Sequence, residues 1–537
     1  MTTADSTTQD PKSVRRYGVL LFVLSLFFFG IIPYGGIRSS DSEVVFRVAE
    51  ALADHGQFYL QHDLEDWHSF GVATGRSDHL YAIFGPLESI LLAPVIKVAE
   101  VVNETGWYNS IVPMLALSHF EERGFFDYLD GSPTKNPKPH ALRMLTSFFN
   151  VLVSAFCVFV FWRILLIITG SISASFFVSI LYAIGTHAWV YAGTFFSEPL
   201  ATLLVLLSFL YLLRSRDASM QEQEGPSIRP TFLSGLWLGF AITAHITAAL
   251  YAPFFAFYFL WEDFGSKPGI ASKIERAVVF SLGVFILLFL LGWYNYFRFG
   301  SFFETGRSVS ALSGEVFGYG TFVWPFRGLY GLIFGAGKGI IFFMPVLVVG
   351  TFLSKHFLRW NRRLFWIVAA ALACRILFIA SRSDWHGGFC LGPRYLIMTI
   401  PFFLIPVAVW LRNQESTRFA RAYGVMAFAG LLFSIEQLYF CLIEIFTSLQ
   451  VWKFNEMLAG FSVFENDVLY LDWKYSPLLN PGAMRIAPFL LRWVHLPLSD
   501  LMMYGSLLLT AFFVILFLLT LKMPGSVSDL NSQASPR

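Results

Sequence analysis

Long apolar runs joined by short polar connections make up most of the chain, and one amphipathic stretch near the start departs from that pattern. The first apolar run extends from Tyr17 to Ile37, and the stretch Ile37 to Gly56, IRSSDSEVVFRVAEALADHG, follows it directly. Here Val45, Val48, Ala49 and Leu52 fall at i, i+3, i+4 and i+7, one face of a helix that ends before Gly56. Ser40 and Glu43 stand in the S-x-x-E relation of a capping box, so the helix is expected to open here with Asp41 at its first position. Glu43 then has a local job at the helix end. Asp41 has none that the sequence reveals.

The later apolar runs are Leu142 to Ile168, Ser171 to Tyr191, Phe195 to Leu213, Thr231 to Ala244, Ile246 to Trp261, Ala277 to Phe297, Gly339 to Leu353, Leu364 to Ala380, Arg394 to Leu411, Tyr423 to Phe446 and Leu501 to Leu521. With the first run they predict an all-α polytopic membrane protein of about twelve spans. The run from Leu80 to Val102 is not counted. Glu88, Lys97 and Glu100 lie within it, and counting it would move the later Lys/Arg-rich loops to the outer side. It is read as a half-buried helix lying at the outer surface.

Charge sets the orientation. Lys12, Arg15 and Arg16 precede the first span, which is too long for the apolar core of a signal peptide and has no A-x-A site after it. Both termini are then cytoplasmic, with polar tails at 1–16 and 523–537 and a single membrane domain at 17–522. The short inner loops are each basic, as with Lys355, Arg359, Arg362 and Arg363. The outer segments are 38–141, 298–338, 381–393 and 447–500, and a plasma (inner) membrane location follows.

Composition agrees, with 56% hydrophobic, 18% aromatic and 14% charged residues. A net charge of +2 without any basic block argues against a nucleic-acid partner. The four cysteines show no paired or metal-ligand spacing. His55, His62 and His68 with Asp63, Glu65 and Asp66 match no metal-ligand pattern and read as solvated loop residues.

Ionisable residues stranded at or near membrane depth are the candidates for chemistry. Besides Asp41 they are Glu198 in TFFSEPL, His245 in ITAHITAAL, Lys338 in FGAGKGI, and Arg382, Asp384, His386 and Arg394 in SRSDWHGGFCLGPRYL. All fall on the outer side in this topology. Carboxylates and cations converging on one pocket suit an anionic, lipid-linked substrate entering from the bilayer. Plainer roles stand beside these: Glu198 before Pro199 caps a helix, His245 sits in a tight turn, and Arg394 anchors a span at the interface.

The order of these pieces resembles the GT-C glycosyltransferases of the type that includes protein O-mannosyltransferases and lipid A aminoarabinose transferases. The resemblance runs through SSDSEVVFRVAEALADHG after the first span, YAIFGPLESILLAP, RMLTSFFN, SEPL, GFAITAH and RYLIMTIP, over about Val14 to Arg412. The chain departs from the family in carrying Gly85 for the second proline, His245 for a Lys or Arg, and Glu198 for a commoner Asp.

The resemblance implies transfer of a sugar from a polyprenyl-phosphate donor to a lipid, glycan or protein acceptor at the outer face, usually with inversion. Asp41 is then the general base, with Glu198 as second carboxylate, and Arg394, Lys338, His245 and His386 are the donor-phosphate contacts. Neither a metal nor another cofactor is required by this scheme. Two other classes explain the same hydropathy: a multi-span transporter, and a lipid flippase or lipid-binding scaffold that makes no bond.

Overall fold

The computed structural model describes residues 10–31, 37, 39–60, 71–111, 137–221, 228–261, 269–312, 321–388, 390–414, 416–444, 467–481, 485–486 and 497–523. His62, Asp63, Glu65, Asp66 and His68, most of the outer segment 447–500 and most of both tails lie outside them. Among the described residues the helices in chain order are α1 Pro11–Ile31, α2 Ser40–His55, α3 Leu87–Glu104, α4 Trp107–Ile111, α5 Pro137–Thr169, α6 Ile172–Ile184, α7 His187–Ala192, α8 Glu198–Gln221, α9 Arg229–Ala244, α10 Ala252–Trp261 and α11 Ile270–Phe299. Further long helices follow at Arg362–Ala380, Ile400–Arg412, Ser416–Leu442 and Leu498–Lys522.

Among the described residues, eight helical units are long and apolar enough to cross a membrane. They match eight of the predicted runs, and the other four runs form shorter or broken helices. Ser171 to Tyr191 divides into α6 and α7 at Gly185 and Thr186, where the Thr186 side chain caps α7. Gly339 to Leu353 divides at Met344, because Pro345 cannot continue the preceding turn. Membrane packing relies on small residues: at Gly235 of α9 a Cβ would lie 1.9 Å from the Phe280 carbonyl oxygen of α11, so these two backbones touch where no side chain fits.

The stretch Leu80 to Val102 is not one helix. Leu80–Ala82 forms the middle strand of a small antiparallel sheet, pairing with Tyr59–Leu60 on one side and Val72–Thr74 on the other. The Gly85–Pro86 turn then starts α3. With Glu88, Lys97, Glu100 and Glu104 in its sequence, α3 is not among the eight membrane-length helices. It packs on α2 and α5.

The amphipathic helix α2 buries Val45, Val48 and Ala49 of its predicted stripe and half-buries Leu52, and the packing covers Val44 and Phe46 as well. Val44 and Val48 meet the sheet with Leu60, Val72 and Leu80, while Val45, Phe46 and Ala49 meet Leu92 and Ile96 of α3 and Leu142 of α5. Its C-terminus closes at Gly56 in the left-handed region, φ 67°, donating to the Leu52 carbonyl.

Candidate active site

Several element ends meet at one end of the bundle: the start of α2, the start of α8, the end of α9, and the turn Arg394–Thr399 that leads into the Ile400–Arg412 helix. The α2 terminus differs from the sequence expectation. The N-cap is Ser39, whose hydroxyl accepts from the Ser42 amide at 3.2 Å, one residue before the Ser40 expected from S-x-x-E. Helix α2 begins at Ser40 and Asp41 is its second residue. The physical reason is a stronger partner for Glu43. Its side chain is fully buried and takes Arg143 Nε at 3.0 Å and Arg47 Nε at 3.0 Å, along with Arg143 Nη2.

Asp41 turns the other way. Its Oδ2 accepts from Arg394 Nη1 and Nη2, both at 3.2 Å. Arg394 Nε lies 3.2 Å from Glu198 Oε1, within ion-pair range but off the line of a hydrogen bond. One guanidinium therefore holds both predicted carboxylates. Its plane also lies near the Phe196 and Tyr395 rings, with the central carbon 4.4 and 5.2 Å from their centroids. Asp41 keeps 37% of its side chain exposed, whereas Glu198 keeps 3%.

His245, the residue capping α9, places Nε2 3.9 Å from Glu198 Oε1 and Nδ1 2.8 Å from Thr247 Oγ1. The structure thus brings Asp41, Glu198, Arg394 and His245 together.

Lys338 and His386 are committed to the loop that carries Arg394. Lys338 Nζ donates to the carbonyls of Gly388 at 3.0 Å and Cys390 at 2.6 Å. His386 Nδ1 accepts from the Gly388 amide at 2.9 Å, and its ring stacks on Tyr470 at 4.2 Å. Burial, then Lys338, push the His386 pKa down to about 3, so this ring is neutral near pH 7. Tyr191 clamps the same loop by donating to the Leu391 carbonyl at 2.7 Å. At Gly392, φ 56°, a Cβ would lie 2.1 Å from His187 Nε2, so only glycine fits this turn. Arg382 grips Asp384 bidentately at 2.7 and 2.6 Å, which outweighs burial and lowers the Asp384 pKa.

Sequence reasoning missed Arg375. It is fully buried and donates to the Tyr395 carbonyl at 3.2 and 2.8 Å and to the Thr247 carbonyl at 2.9 Å, joining the two turns that carry Arg394 and His245. A charge inside the apolar run ALACRILFIA was the signal for it. Gly85 also finds a local reason: a Cβ there would lie 2.0 Å from the Thr243 carbonyl oxygen, at the end of α9. Among the described residues no group of three or more His, Cys, Asp or Glu is placed to hold a metal ion.

No family model and no curated protein matches the chain. Among solved structures it is similar to ArnT from Cupriavidus metallidurans bound to undecaprenyl phosphate, at 14% identity and TM-score 0.45, over 93% of this chain and 76% of that one. It is also similar to the archaeal oligosaccharyltransferase AglB from Archaeoglobus fulgidus in complex with an inhibitory peptide and a dolichol-phosphate, at 9% identity and TM-score 0.43, over 80% of this chain and 55% of that one.

Proposed function

We propose that this membrane protein transfers a sugar from a polyprenyl-phosphate donor to an acceptor, with Asp41 as general base and Arg394 as the group that takes the donor's phosphate. The observation that carries the reading is one buried guanidinium shared by two carboxylates, one of them partly open, where four element ends meet. A lipid phosphate competes with carboxylate for a guanidinium, since both accept from its fork of donors. The choice of a sugar as the transferred group rests on the motif resemblance.

Phosphate binding at Arg394 releases Asp41 from its ion pair. The freed carboxylate takes the proton of an acceptor hydroxyl or amine as that group attacks the anomeric carbon. The new bond forms on the face opposite the phosphate, the bond from anomeric carbon to phosphate oxygen breaks, and the polyprenyl phosphate leaves with the electron pair. It leaves as an anion, so the leaving group needs no general acid.

This reading puts the site at the outer face. The opposite helix ends carry Lys12, Arg15 and Arg16 on α1, Lys273 and Arg276 on α11, and Arg412 after the Arg394 span, which supports an inner location for those ends. A membrane-impermeant thiol reagent is then expected to label a single cysteine introduced near Asp41 in intact cells. Labelling only after permeabilisation overturns the orientation. For the reaction, purified protein is incubated with polyprenyl-phosphate sugars and an acceptor. Transfer by wild type and none by Asp41→Asn is the expected result. Transport across sealed vesicles without bond formation supports the transporter instead.

A further inference from the structure

Nothing in the reaction above uses Glu88. It lies in the first turn of α3, 1% exposed, and neither Oε1 nor Oε2 has a hydrogen-bond partner among the described residues. Leaving such a buried group unsatisfied is destabilising, so the position calls for an explanation.

Its neighbours place the start of α3 beside the site. Three residues earlier, Gly85 presses on the Thr243 carbonyl at the end of α9, and one residue later Ser89 Oγ donates to the Val45 carbonyl of α2 at 2.9 Å. The start of α3 is therefore wedged between the helix that carries Asp41 and the helix that ends at His245. Across this wedge the Glu88 carboxyl senses the Glu198 carboxylate. Burial first, then Glu198, push its pKa up to about 8, so it carries a proton at neutral pH. The charged or titratable groups around the site are Asp41 from α2, Glu198 from α8, His245 from the end of α9, Arg394 and Tyr395 from their turn and Arg375 bonded to that turn, while α2 and α5, which pack on α3, add the Glu43–Arg143 pair.

Resting on the donor reading above, we propose that Glu88 is a ligand-binding residue of this site, whose neutral carboxyl donates a hydrogen bond to a phosphate oxygen of the lipid donor. Arg394 supplies the positive charge, already shared with two carboxylates. A protonated carboxyl adds a donor without adding a third anion. Once ionised, the same group repels the phosphate and has no proton to give. Donor affinity is therefore held below the Glu88 pKa and lost as pH rises through it.

The experiment is a titration of the full-length protein in detergent with undecaprenyl phosphate, between about pH 6 and 9, for wild type, Glu88→Gln and Glu88→Met. Wild-type affinity should fall on the alkaline side. Glu88→Gln keeps a neutral N–H donor at every pH, so it should match wild type at neutral pH and lose the alkaline fall. Glu88→Met keeps the volume without a donor and should bind roughly tenfold more weakly, without destabilisation. If wild type does not bind undecaprenyl phosphate at all, the donor reading itself fails and takes this inference with it. If wild type binds and Glu88→Met matches its affinity, the inference is overturned while the donor reading stands. Should Glu88→Met not fold, Glu88→Gln decides, and an unchanged alkaline fall overturns the inference.

Discussion

Two arginine–carboxylate groupings start from residues two apart in α2, and they are built differently. Glu43 is closed: no part of its side chain is exposed, and Arg143 and Arg47 together satisfy both of its oxygens. Asp41 is open: more than a third of it is exposed, and its partner Arg394 is shared with Glu198 through a contact that lacks hydrogen-bond alignment. A saturated pair has nothing left to offer a ligand. A partly exposed one can exchange its partner, which is what binding an anion and freeing a base require.

The comparison breaks most sharply at Arg143. Arg143→Ala leaves Glu43 buried without its main counter-charge, and about 3–5 kcal/mol of stability should go, read as a large drop in melting temperature in detergent. A small drop would mean that Glu43 is not the closed group described here. Glu43→Gln keeps the shape and loses the charge, so its cost should appear in stability ahead of turnover.

The open group should show the reverse. Asp41→Asn should lower transfer by about 10²–10⁴-fold, the range of a lost general base, with a stability change under about 1 kcal/mol because the pair is partly exposed. Near wild-type turnover would move the base to Glu198. Next in size is Arg394→Lys, which keeps the charge and loses the fork; donor binding should weaken by about tenfold, with the fold retained. Unchanged donor binding in Arg394→Ala would remove Arg394 from the site.

Ser39→Ala removes the side-chain cap of α2 and should cost about 1 kcal/mol, without the turnover loss of Asp41→Asn. Smallest of all is His386→Gln, which should leave donor affinity near pH 7 unchanged, since the ring is already neutral there. Its effect lies in acid. The folded protein holds His386 neutral down to about pH 3, while the unfolded chain binds that proton near pH 6.5. Wild type therefore loses stability as pH falls through this window, and the variant should lose less of it.

Lys338 shows what stranded charge leaves open. Between glycines in an apolar setting it reads as a phosphate contact, and so does Arg394. A sequence marks both as charges that need partners, but it does not say whether the partners belong to the protein. The ammonium of Lys338 finds the carbonyls of Gly388 and Cys390, fifty and fifty-two residues away. Arg375 carries the same signal, and its neighbours make it a brace between two turns.

What the sequence determined by itself is whatever local periodicity and composition dictate: the membrane-length runs, the amphipathic α2 with its end at Gly56, and the set of ionisable residues too costly to place in lipid without a purpose. These depend on side chains within a few turns of one another. What only the tertiary structure decided is how those charges are paired. Arg143 reaches Glu43 across 100 residues of chain, and Arg394 reaches Asp41 across 353. S-x-x-E promised Glu43 to the helix cap, yet a buried arginine on α5 is a stronger partner for a carboxylate than a free amide, and it arrives only when α5 packs beside α2. That exchange leaves Asp41 to face Arg394 and the open side of the site.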